Sequence, residues 1–216
     1  MLVVFDLDGT LIDSRRDLAD AANAMIAEHG GHPLPVDRIA AMVGDGAATL
    51  VRRALAASGI AGTDPARALE RFLALYDERL LANTQLYDGI EEALQDLSKR
   101  ALLAVLTNKP LGAAQRILEG LGVASAFYRV LGGDGPHARK PDPQGLFQII
   151  TDARTTPTHT TLVGDSRIDV ATAHAAGCAM CIAAYGFGYD PDLELRGTEM
   201  IVQAPRQLPS ILSATT

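Results

Sequence analysis

From residue 88 to the C-terminus, short apolar runs alternate with stretches of helical periodicity. This alternation limits what the chain can fold into more than any other feature. The runs fall at 101–106, 128–131, 160–163, 178–183 and 201–202, and helical patterns occupy 88–99, 110–121, 143–153, 168–176 and 205–213. A further run, Leu2–Phe5, opens the chain. Continuous apolar tetra- and hexapeptides read as strands buried on both faces, and strand–helix repetition gives a mostly parallel sheet covered by helices. The expected class is α/β, a Rossmann-like parallel sheet core.

Residues 14–82 break the pattern, because their signals are almost entirely helical. Leu18, Ala22, Met25 and Ile26 share one face of a first helix that Gly30 and Gly31 end, and two more helices fit 46–58 and 65–81. Leu69, Phe72, Leu73 and Tyr76 form a stripe at helical spacing, read as core packing. The chain is therefore expected to have an α/β core of residues 1–13 and 83–216, with 14–82 as an inserted all-helical cap domain. An insert placed directly after a strand's carboxyl end hangs over the usual site of an open α/β sheet, as a lid does.

Composition narrows the partners. Of 216 residues, 48% are hydrophobic, and the formal charge is −7. No basic stripe for nucleic acid, no signal h-region and no apolar run near the roughly 20 residues that cross a bilayer is present, so the reading is a cytoplasmic protein without nucleic-acid or membrane partners. Cys178 and Cys181 form a C-x-x-C with no second pair for zinc. The first follows a helix ending and the second sits in an apolar run, so both read as buried structural thiols.

The chemistry gathers at predicted strand ends. Asp6 and Asp8 are two residues apart, so continued strand geometry would put both on one face; Gly9 lets the backbone turn, and Thr10 can cap or orient that turn. Two carboxylates side by side repel unless a cation rewards them, and Mg²⁺ takes oxygen ligands. A carboxylate so placed can attack phosphorus, and a second can move the proton. A plain Asp-Gly turn without chemistry is the competing reading. Thr107 and Asn108 end the second predicted strand, where they can donate to phosphate oxygens or cap the helix that follows. Lys140, one of only three lysines, lies in a loop stiffened by two prolines. At ~4 Å and an effective dielectric of ~20, a pair of unit charges is worth about 4 kcal/mol. An anionic nucleophile therefore needs such a cation to approach a phosphate. Asp165 ends the strand at 160–163 and suits a metal. Ser166 and Asp169 fit either a capping box or a supporting role at that metal.

Phe5–Thr10, Thr107-Asn108, Lys140-Pro141 and Gly164-Asp165-Ser166 with Asp169, in that order, resemble the four motifs of the haloacid dehalogenase-like superfamily of phosphotransfer enzymes. The helical insert matches that superfamily's cap. Within it the chain most resembles phosphoglycolate phosphatases, on strings that include Val43–Gly46, Arg53–Leu55, Thr107–Pro110, Gly132–Asp134 and Ala175–Cys178. The resemblance implies hydrolysis of a small phosphomonoester, phosphoglycolate first, through an aspartyl phosphate. Asp6 would be nucleophile and Mg²⁺ ligand. Asp8 would be general acid/base, holding the metal through its backbone carbonyl, and Asp165 the third ligand. Thr107, Asn108 and Lys140 would hold the phosphoryl group, with Asp169, Thr10 and Ser166 in support. Two departures flank Lys140: Asp142 stands where relatives often carry His, and Arg139 where they often carry Lys. Arg53 is the candidate for the substrate carboxylate, an exposed helix face being the other reading of that position. Related caps serve pyrophosphate, sugar phosphates and amino-sugar phosphates. A phosphate-sensing, receiver-like protein is the rival of another class, but its acceptor lies in a middle strand of a domain without a lid. A monomer or a homodimer is expected.

Overall fold

The computed structural model describes residues 1–213. The strands are β1 (Leu2–Phe5), β2 (Ile12–Asp13), β3 (Gln85–Leu86), β4 (Leu102–Leu106), β5 (Arg129–Leu131), β6 (Thr160–Gly164), β7 (Ala179–Ala183) and β8 (Met200–Val202). The helices are α1 (Arg15–Glu28), α2 (Val36–Ala40), α3 (Ala47–Ala57), α4 (Pro65–Asp77), α5 (Ile90–Leu97), α6 (Leu111–Gly120), α7 (Gln144–Asp152), α8 (Arg167–Ala176) and α9 (Leu208–Ser213). Six strands form one sheet in the order β5-β4-β1-β6-β7-β8, with every pairing parallel. The α/β reading of the sequence thus holds, with the first strand at the centre between β4 and β6.

The period of two along each strand divides the core. Val3, Phe5, Leu103, Val105, Val163 and Cys181 face one side, with α5 and α6, while Leu2, Val4, Ala104, Leu106, Leu162 and Met180 face the other, against α7 and α8. Burial on both faces explains why these strands read as unbroken apolar runs. The capping chemistry is local. Asp64 accepts from Ala66 N ahead of Pro65 at the start of α4, and Ser166 and Asp169 close a capping box on α8. Gly177 ends α8 in the left-handed region at φ 69°.

In the segment between β1 and β4, α1 packs on α2 and α4, and α3 packs on α4. Leu18, Met25, Ile26, Phe72 and Leu75 run on into the same apolar cluster as Phe5 and Leu103. The two chain passages into and out of these helices meet. β2 pairs antiparallel with β3, and the Asp17 carboxylate accepts from Asn83 N (2.9 Å), Asn83 Nδ2 (2.8 Å), Thr84 N (2.8 Å) and Thr84 Oγ1 (2.7 Å). Burial alone would raise this carboxyl's pKa, but those four donors take it below its ordinary value. Hydrogen bonds to a charged acceptor are worth roughly 1.5–3 kcal/mol each, so Asp17 is a strong clasp.

Four elements differ from the sequence reading. β2, β3 and α2 are two to five residues long, too short to carry a period. The fourth helix stops at Asp77 rather than 81, because the hydrogen bonds tighten there to i→i−3: Arg79 N donates to Tyr76 O and Ala82 N to Arg79 O. Both cysteines are buried and free, and burial pushes the Cys178 thiol up to about 11 and that of Cys181 to about 12. No helix among the described residues is long and apolar enough to cross a membrane.

Candidate active site

The carboxyl ends of β1, β4 and β6 meet at one cavity, roofed by α1, α3 and α4. Asp6, Asp8, Thr107, Asn108, Asp165 and Ser166 line its floor, and Leu18, Val43, Leu50, Phe72, Leu73 and Tyr76 line its roof. Asp6 continues the ladder one residue past β1, its N–H donating to Val163 O at 2.8 Å. The chain then turns at Gly9, whose φ of 86° favours glycine. A Cβ there would sit 1.9 Å from Asp165 Oδ2. The loop after β7 closes in from the other side. Gly188 N donates to Asp165 Oδ2 at 2.7 Å, and a Cβ on Gly186 would lie 2.2 Å from Gly9 O. Glycines thus let two backbones approach one carboxylate. We expect Gly186→Ala to cost about 1–3 kcal/mol in urea denaturation, as overpacking does, and to lower turnover by displacing Asp165. An unchanged midpoint together with unchanged turnover would contradict this packing.

Two buried ammonium groups organise the acids. Lys140 Nζ lies 2.8 Å from Asp6 Oδ1 and 2.6 Å from Asp169 Oδ1. Burial would pull its pKa down, but Asp169 and Asp6 outweigh that and hold it above the ordinary value. Asp169 Oδ2 takes Ser166 N (3.1 Å) and Oγ (2.6 Å). Asp169 therefore takes the capping-box reading at α8 and in addition holds the Lys140 ammonium. Lys109 Nζ lies 3.0 Å from Asp8 Oδ1 and donates to the Tyr76 hydroxyl at 2.8 Å. Ser14 Oγ donates to the same Asp8 Oδ1 at 2.5 Å, so both of these partners meet Oδ1 and neither meets Oδ2.

Asp6, Asp165 and Asp169 are buried, with one carboxylate oxygen of each within 4.8 Å of the others. Burial, joined by Asp169 and Asp8 and opposed by Lys140, pushes the Asp6 carboxyl up to about 7. Burial first, and then Asp169 and Asp6, raise Asp165 well above the usual carboxylate range. If ionised, the four acids at this site exceed the two lysines by two charges, which is the charge of one divalent cation. Oxygen donors of this kind suit a hard cation. Asp8 points its carboxylate elsewhere, toward Ser14 and Lys109, so any part it has at a metal falls to its main-chain carbonyl.

Three sequence-predicted residues sit differently from expectation. The Asn108 amide is taken up by main-chain partners. Its Oδ1 accepts from Lys140 N (2.9 Å), and its Nδ2 donates to Lys140 O (2.9 Å) and Gly44 O (2.8 Å). It ties the Lys140 loop and the helical segment to β4, because a buried amide must satisfy both of its ends. The Thr10 hydroxyl is buried without a hydrogen-bond partner among the described residues, so it does not cap the turn; its carbonyl accepts from Tyr185 Oη at 2.8 Å. Arg53 does not line the cavity. Its guanidinium meets Asp45 Oδ2 at 2.6 Å and Met42 O at 3.2 Å, held by the nearest opposite charge. Thr107 lies on the cavity wall as expected, its Oγ1 accepting from Lys109 N at 3.2 Å. Sequence reasoning missed Lys109, Tyr76 and the Gly186–Gly188 loop. The signals available were a lysine directly after Thr107-Asn108, a hydroxyl within an apolar stripe, and glycines on either side of Phe187.

A family model for haloacid dehalogenase-like hydrolases matches residues 1–177. A phosphoglycolate phosphatase of Rhodospirillum rubrum is 42% identical over 196 residues, covering 88% of this chain and 81% of the relative. Another, from Haemophilus influenzae, is 34% identical over 218 residues, covering 98% and 97%. The crystal structure of a predicted phosphoglycolate phosphatase from Haemophilus somnus superposes with a TM-score of 0.91 at 30% identity, covering 100% of this chain and 97% of the other.

Proposed function

The chain belongs to the haloacid dehalogenase-like hydrolases, and on that premise we propose that it is a phosphatase that cleaves 2-phosphoglycolate to glycolate and inorganic phosphate. One observation carries the reading: Asp6, a carboxylate at the end of the central strand and on the floor of a roofed cavity, is backed by the buried ammonium of Lys140. The names of the relatives support the choice of substrate. Helices α1–α4, spanning the proposed cap of 14–82, act as the lid.

In the reaction, Asp6 attacks phosphorus as the ester P–O bond breaks. Asp8 gives its proton to the departing glycolate oxygen, and an aspartyl phosphate remains on Asp6. Asp8 then takes a proton from water as that water attacks phosphorus, and the Asp6–phosphorus bond breaks to release phosphate. Lys140 and the Thr107 hydroxyl hold the phosphoryl oxygens. Asp169 and Asn108 fix Lys140, by its ammonium and by its main chain respectively. The roof of apolar side chains keeps bulk water from the intermediate until the leaving group departs. We assign Mg²⁺ to Asp6, Asp165 and the Asp8 carbonyl; when bound, it would shield the phosphate from the surrounding carboxylates.

The test is phosphate release from a panel of small phosphomonoesters and pyrophosphate, with Mg²⁺ or with EDTA. The highest kcat/KM is expected on 2-phosphoglycolate with Mg²⁺, and full activity in EDTA would refute the metal assignment. A second test needs no turnover. The folded-state pKa of Asp6, about 7, lies above its ordinary 3.8, so ionising it costs the fold stability. That cost grows as pH rises from about 4 to 7 and is complete above 7. A bound cation relieves it, whereas protons compete with the cation at low pH. Mg²⁺ should therefore raise Tm more at pH 8 than at pH 5.5 in calorimetry; equal shifts would rule this linkage out.

A further inference from the structure

Lys109 is the only Lys or Arg among the described residues that line the cavity, and Arg53 lies outside it. Its ammonium is buried where β4 runs out, and it lies 4.5 Å from the centre of the Tyr76 ring. Tyr76 comes from α4 in the roof and stacks on Phe72 with ring centres 6.0 Å apart. The hydrogen bonding leaves capacity for a ligand. Of the three ammonium protons of Lys109, Asp8 and Tyr76 take two. Because the Tyr76 oxygen accepts from Lys109, its own O–H is left to donate. One ammonium proton and one phenolic proton thus remain to donate beside Asp8, beneath the apolar roof of Leu18, Val43, Leu50, Phe72 and Leu73. Such a pair matches a carboxylate, which accepts from both at charge-assisted strength. The apolar walls match a tail with no other polar group.

We propose that Lys109 and Tyr76 form the subsite for the carboxylate tail of the substrate, so that these two residues select a short acid phosphate over a neutral one. The proposal rests on the phosphatase reading above and assigns its specificity. Lys109 also touches Asp8, and a residue acting only through Asp8 would alter every substrate alike. Tyr76 separates the two cases, because Tyr76→Phe removes the phenolic oxygen, the free donor together with the acceptor of one Lys109 proton, and leaves the Lys109–Asp8 pair in place.

The experiment measures kcat and KM for 2-phosphoglycolate and for ethyl phosphate, with Mg²⁺, in the parent protein, Lys109→Met and Tyr76→Phe. The readout is the ratio of the two kcat/KM values. This ratio should fall about tenfold in Tyr76→Phe, the scale of one hydrogen bond to a charged group, and further in Lys109→Met, with the loss in Tyr76→Phe appearing mainly in KM. A ratio unchanged in Tyr76→Phe overturns the subsite, whether or not Lys109→Met folds. So does a Lys109→Met that loses both substrates equally. A parent protein that cleaves ethyl phosphate as well as phosphoglycolate also overturns it while leaving the phosphatase standing. A parent that releases phosphate from neither, or from any other ester in the panel, removes both.

Discussion

Asn in place of Asp6 should abolish phosphate release, with kcat down by at least about 10⁴-fold, the scale at which loss of a covalent nucleophile registers. An amide has no anionic oxygen to attack phosphorus, and no other carboxylate shares its position at the end of the central strand. The protein should nevertheless stay folded. Lys140 keeps Asp169 at 2.6 Å, and the Asp6 carboxylate is already strained toward protonation by its burial. Removing its charge relieves repulsion from Asp169 and Asp8 as it removes attraction to Lys140. Steady-state kinetics beside a circular dichroism melt would check both halves. A variant that keeps a hundredth of the parent's rate would show that Asp6 is not the nucleophile.

Lys140→Met should be the more damaging change to the fold. It leaves Asp6 and Asp169 buried without their common cation. Breaking a buried pair from one side costs about 3–5 kcal/mol, because the surviving charge has lost its solvent and its partner together. Three carboxylates within 4.8 Å would then share no ammonium group. Turnover should fall by about 10²–10³-fold or more, in line with loss of a donor aimed at developing charge. Urea denaturation at pH 8 is the direct measurement. Lys140→Arg should not restore the parent's behaviour, because a planar guanidinium does not fit where a single nitrogen sits between Asp6 and Asp169. A stability unchanged in Lys140→Met would mean that the acids of this site are not ionised together.

Asp6 and Lys140 are legible in the sequence for different reasons. Asp6 follows an apolar tetrapeptide directly, so its place at a strand end is a local matter. Lys140 is 134 positions further on, and only its loop prolines and the scarcity of lysine marked it. The sheet was readable because each strand is buried on both faces and so appears as an unbroken apolar run. β2, β3 and α2 were not, because two to five residues carry no period. Asn108 and Arg53 were read by what their side chains can donate. The fold spends them on partners that sequence cannot locate, a lysine's main chain in one case and Asp45 in the other. Tyr76 was read as core and is core. That its hydroxyl also meets Lys109 depends on α4 lying over the loop that follows β4, a tertiary fact with no trace in the spacing of the stripe.

The position of β1 between β4 and β6 bears on how the protein is made. Asp6 precedes its partners in the chain, and the strand that carries it has no neighbour on one side until residue 106 is synthesised, and none on the other until residue 164. Asp165, Asp169 and the glycine loop at 186–188 arrive later still. A growing chain therefore holds an exposed apolar tetrapeptide and an unpartnered carboxylate until β4 and β6 have been made. Pairings this distant in sequence form slowly. The acidic cluster is complete only once residue 188 has been made, and a product truncated before residue 160 would lack Asp165 and Asp169 and leave its strands uncovered, which favours association.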